Sequence, residues 1–457
     1  MDFRVILAVF ICKALRLVSR ILHRGGTALP GRIALKICPE LLGILAKDVK
    51  TVAITGTNGK TTSARMIEEA FVRQGKSCSA NRSGANLISG ITTEYAVNSS
   101  LSGKCRKEYA VIECDEGAAK SVFRQLKPKV VLVTNLFSDQ VDRYGAVTGT
   151  LDNIRAAMIP VPETVLCLNA DCSLTASLGL DLPNPIRYYG LDRGAAGDKT
   201  EPESSDAVRC IRCGKKYGYE YVTYDHLGGF FCPGCGYRRP KADYAVTGIV
   251  DQSISGSTVV MDIMGSKKLV NINLPAMYNM YNAAGAFAAV SEMGLGADAA
   301  VDALANFKCG FGRMEYLNIG KGGARMTLVK NAAGCNQVLD FLQNVKEKFI
   351  LVICLNNHVS DGTDLSWLQD ARFEKLNELS GRLEHVFVSG ERAQEMYDRI
   401  RQAGISEDNI TLEYSYDKLI DMIQAQDDLA FLMPNYTAML DFRQAIVDRC
   451  GGAEFWE

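Results

Sequence analysis

Val52-Ala-Ile-Thr-Gly56-Thr57-Asn58-Gly59-Lys60-Thr61-Thr62 runs a β-branched strand into a glycine turn, then a lysine and two threonines. Such a turn cradles nucleotide phosphate. Gly56 and Gly59 let backbone N–H groups converge on phosphate oxygens, and the helix predicted from Thr61 to about Gln74 aims its positive end at the same place. Lys60 is then the cation for the β/γ-phosphates and Thr61 the hydroxyl for Mg²⁺, with ATP the expected nucleotide. A carboxylate at a neighbouring strand tip is the usual second support for that metal, which nominates Glu113 in Glu113-Cys-Asp115-Glu116. Asp115, Glu116, Asp139 and Asp142 compete for the same duty, but helix capping or surface charge accounts for at least two of them. Further on, Asn279 and Asn282 lie three apart at a helix start, so both amides can face one ligand such as an adenine edge; capping by Asn279 is the alternative.

A second constellation is built from thiols. Cys210-Ile-Arg-Cys213 and Cys232-Pro-Gly-Cys235 are paired C-x₂-C knuckles, and the glycines and tyrosines around them suit a small ribbon closed by a structural Zn²⁺. An all-thiolate site folds the insert without doing chemistry. A catalytic zinc would need an open position, and His226 is the nearby candidate for a mixed site. Lys215, Lys216, Arg238 and Arg239 flank the knuckles, which admits a nucleic-acid-binding reading, although no wider basic stripe accompanies them.

The elements that must position these groups alternate in the manner of an α/β domain. Strands are predicted at Thr51 to Thr55, Tyr109 to Glu113, Val130 to Asn135 and Thr164 to Asn169, and three of their carboxyl ends carry the motifs above. Two further runs, Thr258 to Ile263 and Lys268 to Leu274, precede the asparagine pair. The N-terminal apolar positions Val5, Ile6, Val9, Phe10, Leu15, Val18, Ile21 and Leu22 recur at helical spacing beside Lys13, Arg16 and Arg20. The run is too short to span a bilayer, so the chain is read as cytoplasmic and not transmembrane. Its first helix either packs on the domain or lies on the membrane face.

With 457 residues, 47% of them hydrophobic, the chain accommodates about three domains. Its 51 basic and 52 acidic residues leave no global field that would favour nucleic acid. A glutaminase would need a cysteine on a sharp glycine-bounded elbow with a positioned histidine; no such elbow is found, and there are four histidines in all.

In sequence order, Gly56 to Thr62, Glu113, Thr134-Asn135, Pro275 to Asn282 and Gly312-Arg313 resemble the ATP-dependent Mur ligases. More narrowly, the Cys₄ insert, Asn81-Arg-Ser-Gly84-Ala-Asn86, the segment Asn135 to Gly145 and Asp361-Gly-Thr-Asp364-Leu-Ser-Trp367 resemble the MurT family, and the likeness covers essentially the whole chain. That resemblance implies a ligase subunit of lipid II isoglutaminyl synthase. It implies ATP-dependent amidation of the D-glutamate α-carboxylate of the lipid II stem peptide, through an acyl phosphate. It implies ammonia from a GatD-type glutaminase subunit, whose Cys–His pair is completed by Asp361 or Asp364, and it implies that Arg313 contacts the nucleotide. Departures from the family pattern fall at Ala332, Asn357, Gln369 and Asn435, while Gln140 stands where ordinary Mur ligases carry histidine, as in MurT-like chains. The other readings are a Mur or folylpolyglutamate-type amino-acid ligase and a zinc-ribbon nucleic-acid-binding ATPase.

The expected architecture is an N-terminal segment (1–48), then a Mur-ligase-like P-loop ATPase domain (49–308) with the ribbon inserted at about 205–240. A Rossmann-like domain (309–457) follows, with strands near Arg325, Phe349, His385, Ile410 and Leu429.

Overall fold

Val130-Val-Leu-Val133 and its neighbours are unbroken apolar runs, and such runs are stable only as parallel strands covered on both faces. The computed structural model describes residues 2–21, 27–82, 84–137, 147–202, 207–308, 310–361, 364–379 and 381–452. The chain divides into two units. The first comprises Met1–Gln252, Gly256–Asn273 and Tyr278–Phe307; the second comprises Lys308–Glu457 with the short pieces Ser253–Ser255 and Leu274–Met277.

The first unit holds strands β1 (Lys50–Thr55), β2 (Cys78–Ala80), β3 (Tyr109–Glu113), β4 (Val130–Val133), β5 (Val165–Asn169) and β6 (Ile186–Leu191). It also holds the hairpin β7 (Gly218–Tyr224) and β8 (Leu227–Phe231), then β9 (Tyr244–Gln252), β10 (Ser257–Ile263) and β11 (Ser266–Ile272). Nine of these make one sheet in the order β11-β10-β9-β6-β5-β4-β1-β3-β2. The strands from β2 through β9 pair in parallel, and β10 and β11 extend the sheet antiparallel. Strand β1 lies between β3 and β4, where the order reverses, and that switch point is where a doubly wound sheet opens a crevice for ligand. Within a residue or two, the predicted strands and the phosphate-loop helix (Lys60–Arg73) stand where the sequence puts them.

Three N-terminal helices, Phe3–Ile21, Ala28–Ile37 and Leu41–Ala46, cover one side of this unit. Val5, Ala8, Val9 and Cys12 are the buried face of the first. Gly31 allows the second to cross the helix Ile88–Val97, because a Cβ there would run into the Ser89 carbonyl. Among the described residues no helix is long and apolar enough to cross a membrane.

The second unit is a six-stranded sheet of β12 (Arg313–Leu317), β13 (Ala324–Thr327), β14 (Phe349–Cys354), β15 (Leu383–Ser389), β16 (Ile410–Leu412) and β17 (Leu429–Pro434). Its order is β12-β13-β17-β14-β15-β16. All but β12 pair in parallel, and the five expected strands are all present. Strand β12 was not anticipated: Arg313-Met-Glu-Tyr-Leu317 is an edge strand with an alternating pattern, and its short run is easily read as loop. Among the departures noted above, Ala332 opens the helix Ala332–Leu342 behind Asn331, whose side chain accepts from Gly334 N–H at 2.8 Å. Asn435 bonds Asn356 twice, donating from Nδ2 to its carbonyl at 2.7 Å and accepting from its N–H at 3.1 Å.

Glu94, on the helix Ile88–Val97, is set among Arg16, Arg82 and Asn98, and burial pushes its carboxyl up to about 7 from 4.5. The folded chain therefore binds this proton between those pH values where the unfolded chain does not, so stability falls as pH rises through that window. Glu94→Gln is expected to raise the Tm by about 2 °C or more at pH 8 and by less at pH 5; an equal gain at both, measured by calorimetry, would place the carboxylate in water.

Candidate active site

The phosphate loop is held before any nucleotide arrives. Strand β1 delivers Gly56 and Gly59 at φ of 118° and 88°, a region that favours glycine. Their missing Cβ atoms make room for Thr134 Oγ1 and Asn282 Oδ1 respectively. Asn135, at the end of β4, is a template for the loop. Its Oδ1 accepts from Asn58 N–H at 3.0 Å, its Nδ2 donates to Asn58 carbonyl at 3.2 Å, and its own carbonyl takes Thr57 N–H at 2.8 Å. Thr57 and Phe137 exchange a further pair of bonds.

Lys60 and Thr61 open the helix, and Thr62 is buried in its first turn. Thr61 Oγ1 donates to Glu113 Oε2 at 2.9 Å, so the two expected magnesium supports are in contact. Glu113 is fixed from behind by Asn81, which accepts its N–H at 2.9 Å and donates to its carbonyl at 2.9 Å. This hydroxyl–carboxylate pair is an all-oxygen donor set that fits a hard cation.

Glu116 is the residue that sequence reasoning undervalued. Its Oε1 lies 2.9 Å from Lys60 Nζ and accepts Gly56 N–H at 2.9 Å. A carboxylate thus stands where a phosphate oxygen would be cradled. The signal was the acidic cluster after β3, but only the loop's path decides which carboxylate enters the cradle. Asp115 caps its own turn through Gly117 N–H at 3.0 Å; Asp139, Gln140 and Asp142 lie outside the described residues.

Asn279 and Asn282 are both buried and bond each other: Asn282 Nδ2 donates to Asn279 Oδ1 at 3.1 Å. Asn282 meets Gly59 as well, so part of its role is to seat the loop.

The four thiols of the insert converge. Cys210 and Cys235 Sγ are 3.6 Å apart, Cys213 and Cys232 Sγ are 3.4 Å apart, and all four lie within 4.8 Å of one another. Four thiolates at about 2.3 Å from one tetrahedral zinc stand about 3.8 Å apart, so the set fits that ion. His226 is not part of it. Its Nδ1 is 3.1 Å from Asp225 Oδ1 and its Nε2 is 3.8 Å from Cys172 Sγ, in a fully buried Cys–His contact the sequence did not disclose. Burial opposes charge on both partners, but their mutual bond and Asp225 overcome it, holding the thiol low and the imidazole up at about 10. Arg239, read above as a flanking cation, is instead the buried partner of Asp171 at 2.6 Å and of Asp192 at 2.9 Å.

In the second unit, β14 ends in the loop that carries both aspartates. Asp361 is buried and fully used: it accepts Thr437 N–H at 2.7 Å, Thr437 Oγ1 at 2.6 Å and His358 N–H at 3.0 Å. Asp364 is exposed and accepts from the Ser366 N–H and hydroxyl, each at 2.8 Å; the N–H bond leads in holding its carboxyl below the usual range. Arg313 starts β12, half-buried. Its loop is pinned by the Glu315–Arg443 ion pair at 2.9 Å, with Arg443 stacked 4.0 Å from the Phe311 ring centroid.

A phosphate loop with its lysine and a threonine–glutamate pair at the switch point of a parallel sheet, in a chain that also carries a Rossmann-like sheet, defines the Mur-type ATP-dependent ligases. Residues 54–230 match the Mur ligase middle domain and residues 328–439 the MurT ligase C-terminal family. The chain is 31% identical over 450 residues, 98% of each chain, to the lipid II isoglutaminyl synthase (glutamine-hydrolyzing) subunit MurT of Streptococcus pneumoniae. This chain belongs to the MurT family and is an ATP-dependent ligase. Its fold is shared with a pseudomurein peptide ligase type C from Methanothermus fervidus, at TM-score 0.65 and 21% identity over 88% of this chain and 79% of the other. It is shared too with the MurF ligase of Thermotoga maritima in complex with ADP, at TM-score 0.61 and 13% identity over 92% and 85%.

A triphosphate must displace Glu116 from Lys60 and Gly56 N–H. Glu116→Gln is expected to tighten ATP binding by about tenfold in calorimetry, the worth of one competing ion pair of partly buried groups. Weaker binding would instead give the carboxylate a part in the bound state.

Proposed function

We propose that this chain amidates the α-carboxylate of D-glutamate in the lipid II stem peptide, using ammonia supplied by a GatD-type glutaminase subunit. The observation that carries the reading is the end-to-end likeness to a glutamine-hydrolysing isoglutaminyl synthase subunit. A carboxylate is a poor electrophile, so one of its oxygens attacks the γ-phosphorus of ATP, the bond to the ADP oxygen breaks, and an acyl phosphate forms. Ammonia then attacks the carbonyl carbon, the C–O bond to phosphate breaks, and the nitrogen sheds a proton to give the carboxamide.

Little covalent help is needed from the protein. Lys60 and the loop N–H groups of Gly56 to Thr62 hold the phosphates and take up charge as it moves to the leaving oxygen. Thr61 and Glu113 would hold Mg²⁺, which supplies Lewis-acid neutralisation of the triphosphate. Arg313 is assigned to the nucleotide on the family pattern, and Asn279 and Asn282 to the adenine end.

Ammonia is assigned to an outside source on the likeness to a subunit of a glutamine-hydrolyzing synthase, and Cys172 and His226 are both fully buried. Of the two aspartates, Asp364 is the better candidate to complete the partner's Cys–His pair, because it is exposed and ionised while Asp361 is spent on Thr437 and His358. Zn²⁺ held by Cys210, Cys213, Cys232 and Cys235 is assigned a folding role only.

The test is amidation of lipid II by the purified chain, read by mass spectrometry, with ammonium alone and then with glutamine and the glutaminase. Lys60→Ala is expected to abolish both reactions. Asp364→Asn is expected to remove the glutamine-dependent reaction and spare the ammonium-dependent one; equal loss of both would contradict the assignment. Turnover with an amino acid and no ammonia would favour the amino-acid-ligase reading.

One zinc per chain is expected by elemental analysis. Cys213→Ser or a strong chelator is expected to release it and expose the ribbon to protease; an intact ribbon without metal would remove zinc from the fold.

A further inference from the structure

The first helix is apolar on the side that faces away from the protein. Phe3 (73% exposed), Leu7, Phe10 (57%), Ala14, Leu17 (61%) and Ile21 (66%) follow one another at intervals of three and four, with Val18 beside Leu17, and all are exposed. The stripe runs for roughly 27 Å along the helix. Its opposite face, Val5, Ala8, Val9 and Cys12, is already buried in the unit, so packing within the unit does not explain the outer one.

A soluble surface rarely leaves such a continuous apolar face open. The charge around it points to the occupant. From Phe3 to Pro39 the sequence contains no Asp or Glu, while Arg4, Lys13, Arg16, Arg20, Arg32 and Lys36 are spread through it. Arg4 pairs with Asp2 at 3.0 Å and Lys13 bonds the Ser99 carbonyl, but Arg20, Arg32 and Lys36 are exposed. On the second helix Arg32 and Lys36 share a face with exposed Leu29, and with Leu35 they line a cavity of about 380 Å³ opposite Leu87 and Ile88. Phenylalanine and leucine on one face with arginine and lysine beside them is the composition of a helix that lies in a bilayer interface. Each cation near an anionic leaflet adds to the attraction.

We propose that the outer face of the helix Phe3–Ile21, with the cations of the N-terminal helices, docks this chain on an anionic phospholipid surface. The helix lies along the interface without spanning it. This goes beyond the amidation reading and does not depend on it, because vesicles free of lipid II suffice for the test.

The full chain is floated with vesicles of phosphatidylcholine, with and without phosphatidylglycerol. Binding is expected to the anionic vesicles, to weaken with salt, and to fall by about tenfold or more in Phe10→Glu/Leu17→Glu, which removes two side chains from the buried set. Phe10→Trp, which keeps the face apolar, is expected to shift its emission to the blue and to be quenched by brominated lipid. The proposal is overturned if the wild-type chain does not float with anionic vesicles. It is overturned equally if the double variant floats as well as the wild type, or if the emission of the Phe10→Trp variant is unmoved while the chain floats. A chain that is dimeric through this face, becomes monomeric in the double variant and ignores vesicles would make it a self-association surface instead.

Discussion

An ammonium with a side chain only 14% exposed needs an anion, and the whole phosphate loop is arranged around that need at Lys60. Leaving such a charge unpaired in a site of low dielectric is far costlier than pairing it imperfectly. Without nucleotide the demand is met by Glu116, which reaches both Lys60 and the Gly56 N–H. The donors that serve this carboxylate, the Gly56 N–H and Lys60 Nζ, are of the kind that serve a phosphate. A triphosphate carries more charge than one carboxylate, so the exchange favours nucleotide without asking the backbone to reorganise. Asn135, which mimics a strand neighbour for Asn58, and Asn282, which occupies the space beside Gly59, remove the remaining freedom.

A second buried charge ties the inserted ribbon to this site. Asp171 is wholly buried and accepts from Leu191 N–H at 2.9 Å, from Arg239 Nε at 2.6 Å and from the Tyr281 hydroxyl. Arg239 follows the ribbon's last knuckle, and Tyr281 precedes Asn282 on the helix that meets Gly59. The insert is thus linked through one carboxylate to the helix that seats the loop. Tyr237, bonding Ser173 carbonyl at 2.8 Å, and the Cys172–His226 contact add to the same junction. Loss of the ribbon's fold would strand Asp171 without its guanidinium, a penalty of about 3–5 kcal/mol for a buried pair broken on one side.

What the sequence discloses here is what is local. The glycine-rich loop, the parallel strands and the paired knuckles all follow from spacing or period within a few positions. Glu113 beside Thr61 was also legible, since both stand at strand ends that a doubly wound sheet must bring together. The Glu116 contact, the mutual bond of Asn279 and Asn282, the burial of Arg239 and the Cys172–His226–Asp225 cluster were not. Apart from the asparagine pair, which lies within one helix, each joins segments through loops whose paths no pattern specifies. Strand β12 was missed for a different reason: an edge strand needs only a short alternating run, and Arg313-Met-Glu-Tyr-Leu317 offers little to distinguish it from a linker.

Asp361 and Asp364 illustrate how three positions separate holding from reaching. Both follow the same strand, and from residue type alone either could cap a helix or face a partner. The backbone turns so that Asp361 points back to the N-terminus of the helix Tyr436–Cys450, where it joins the ends of β14 and β17 by three bonds. Asp364, three positions on, is exposed, with Ser366 to orient it. Asp364, bonded only within its own turn, keeps its oxygens open to an outside donor, whereas Asp361 gives both of its oxygens to N–H and O–H groups of a buried junction. The Asp361 clamp on Thr437 adds to the two Asn356–Asn435 bonds in fixing the loop that follows β14.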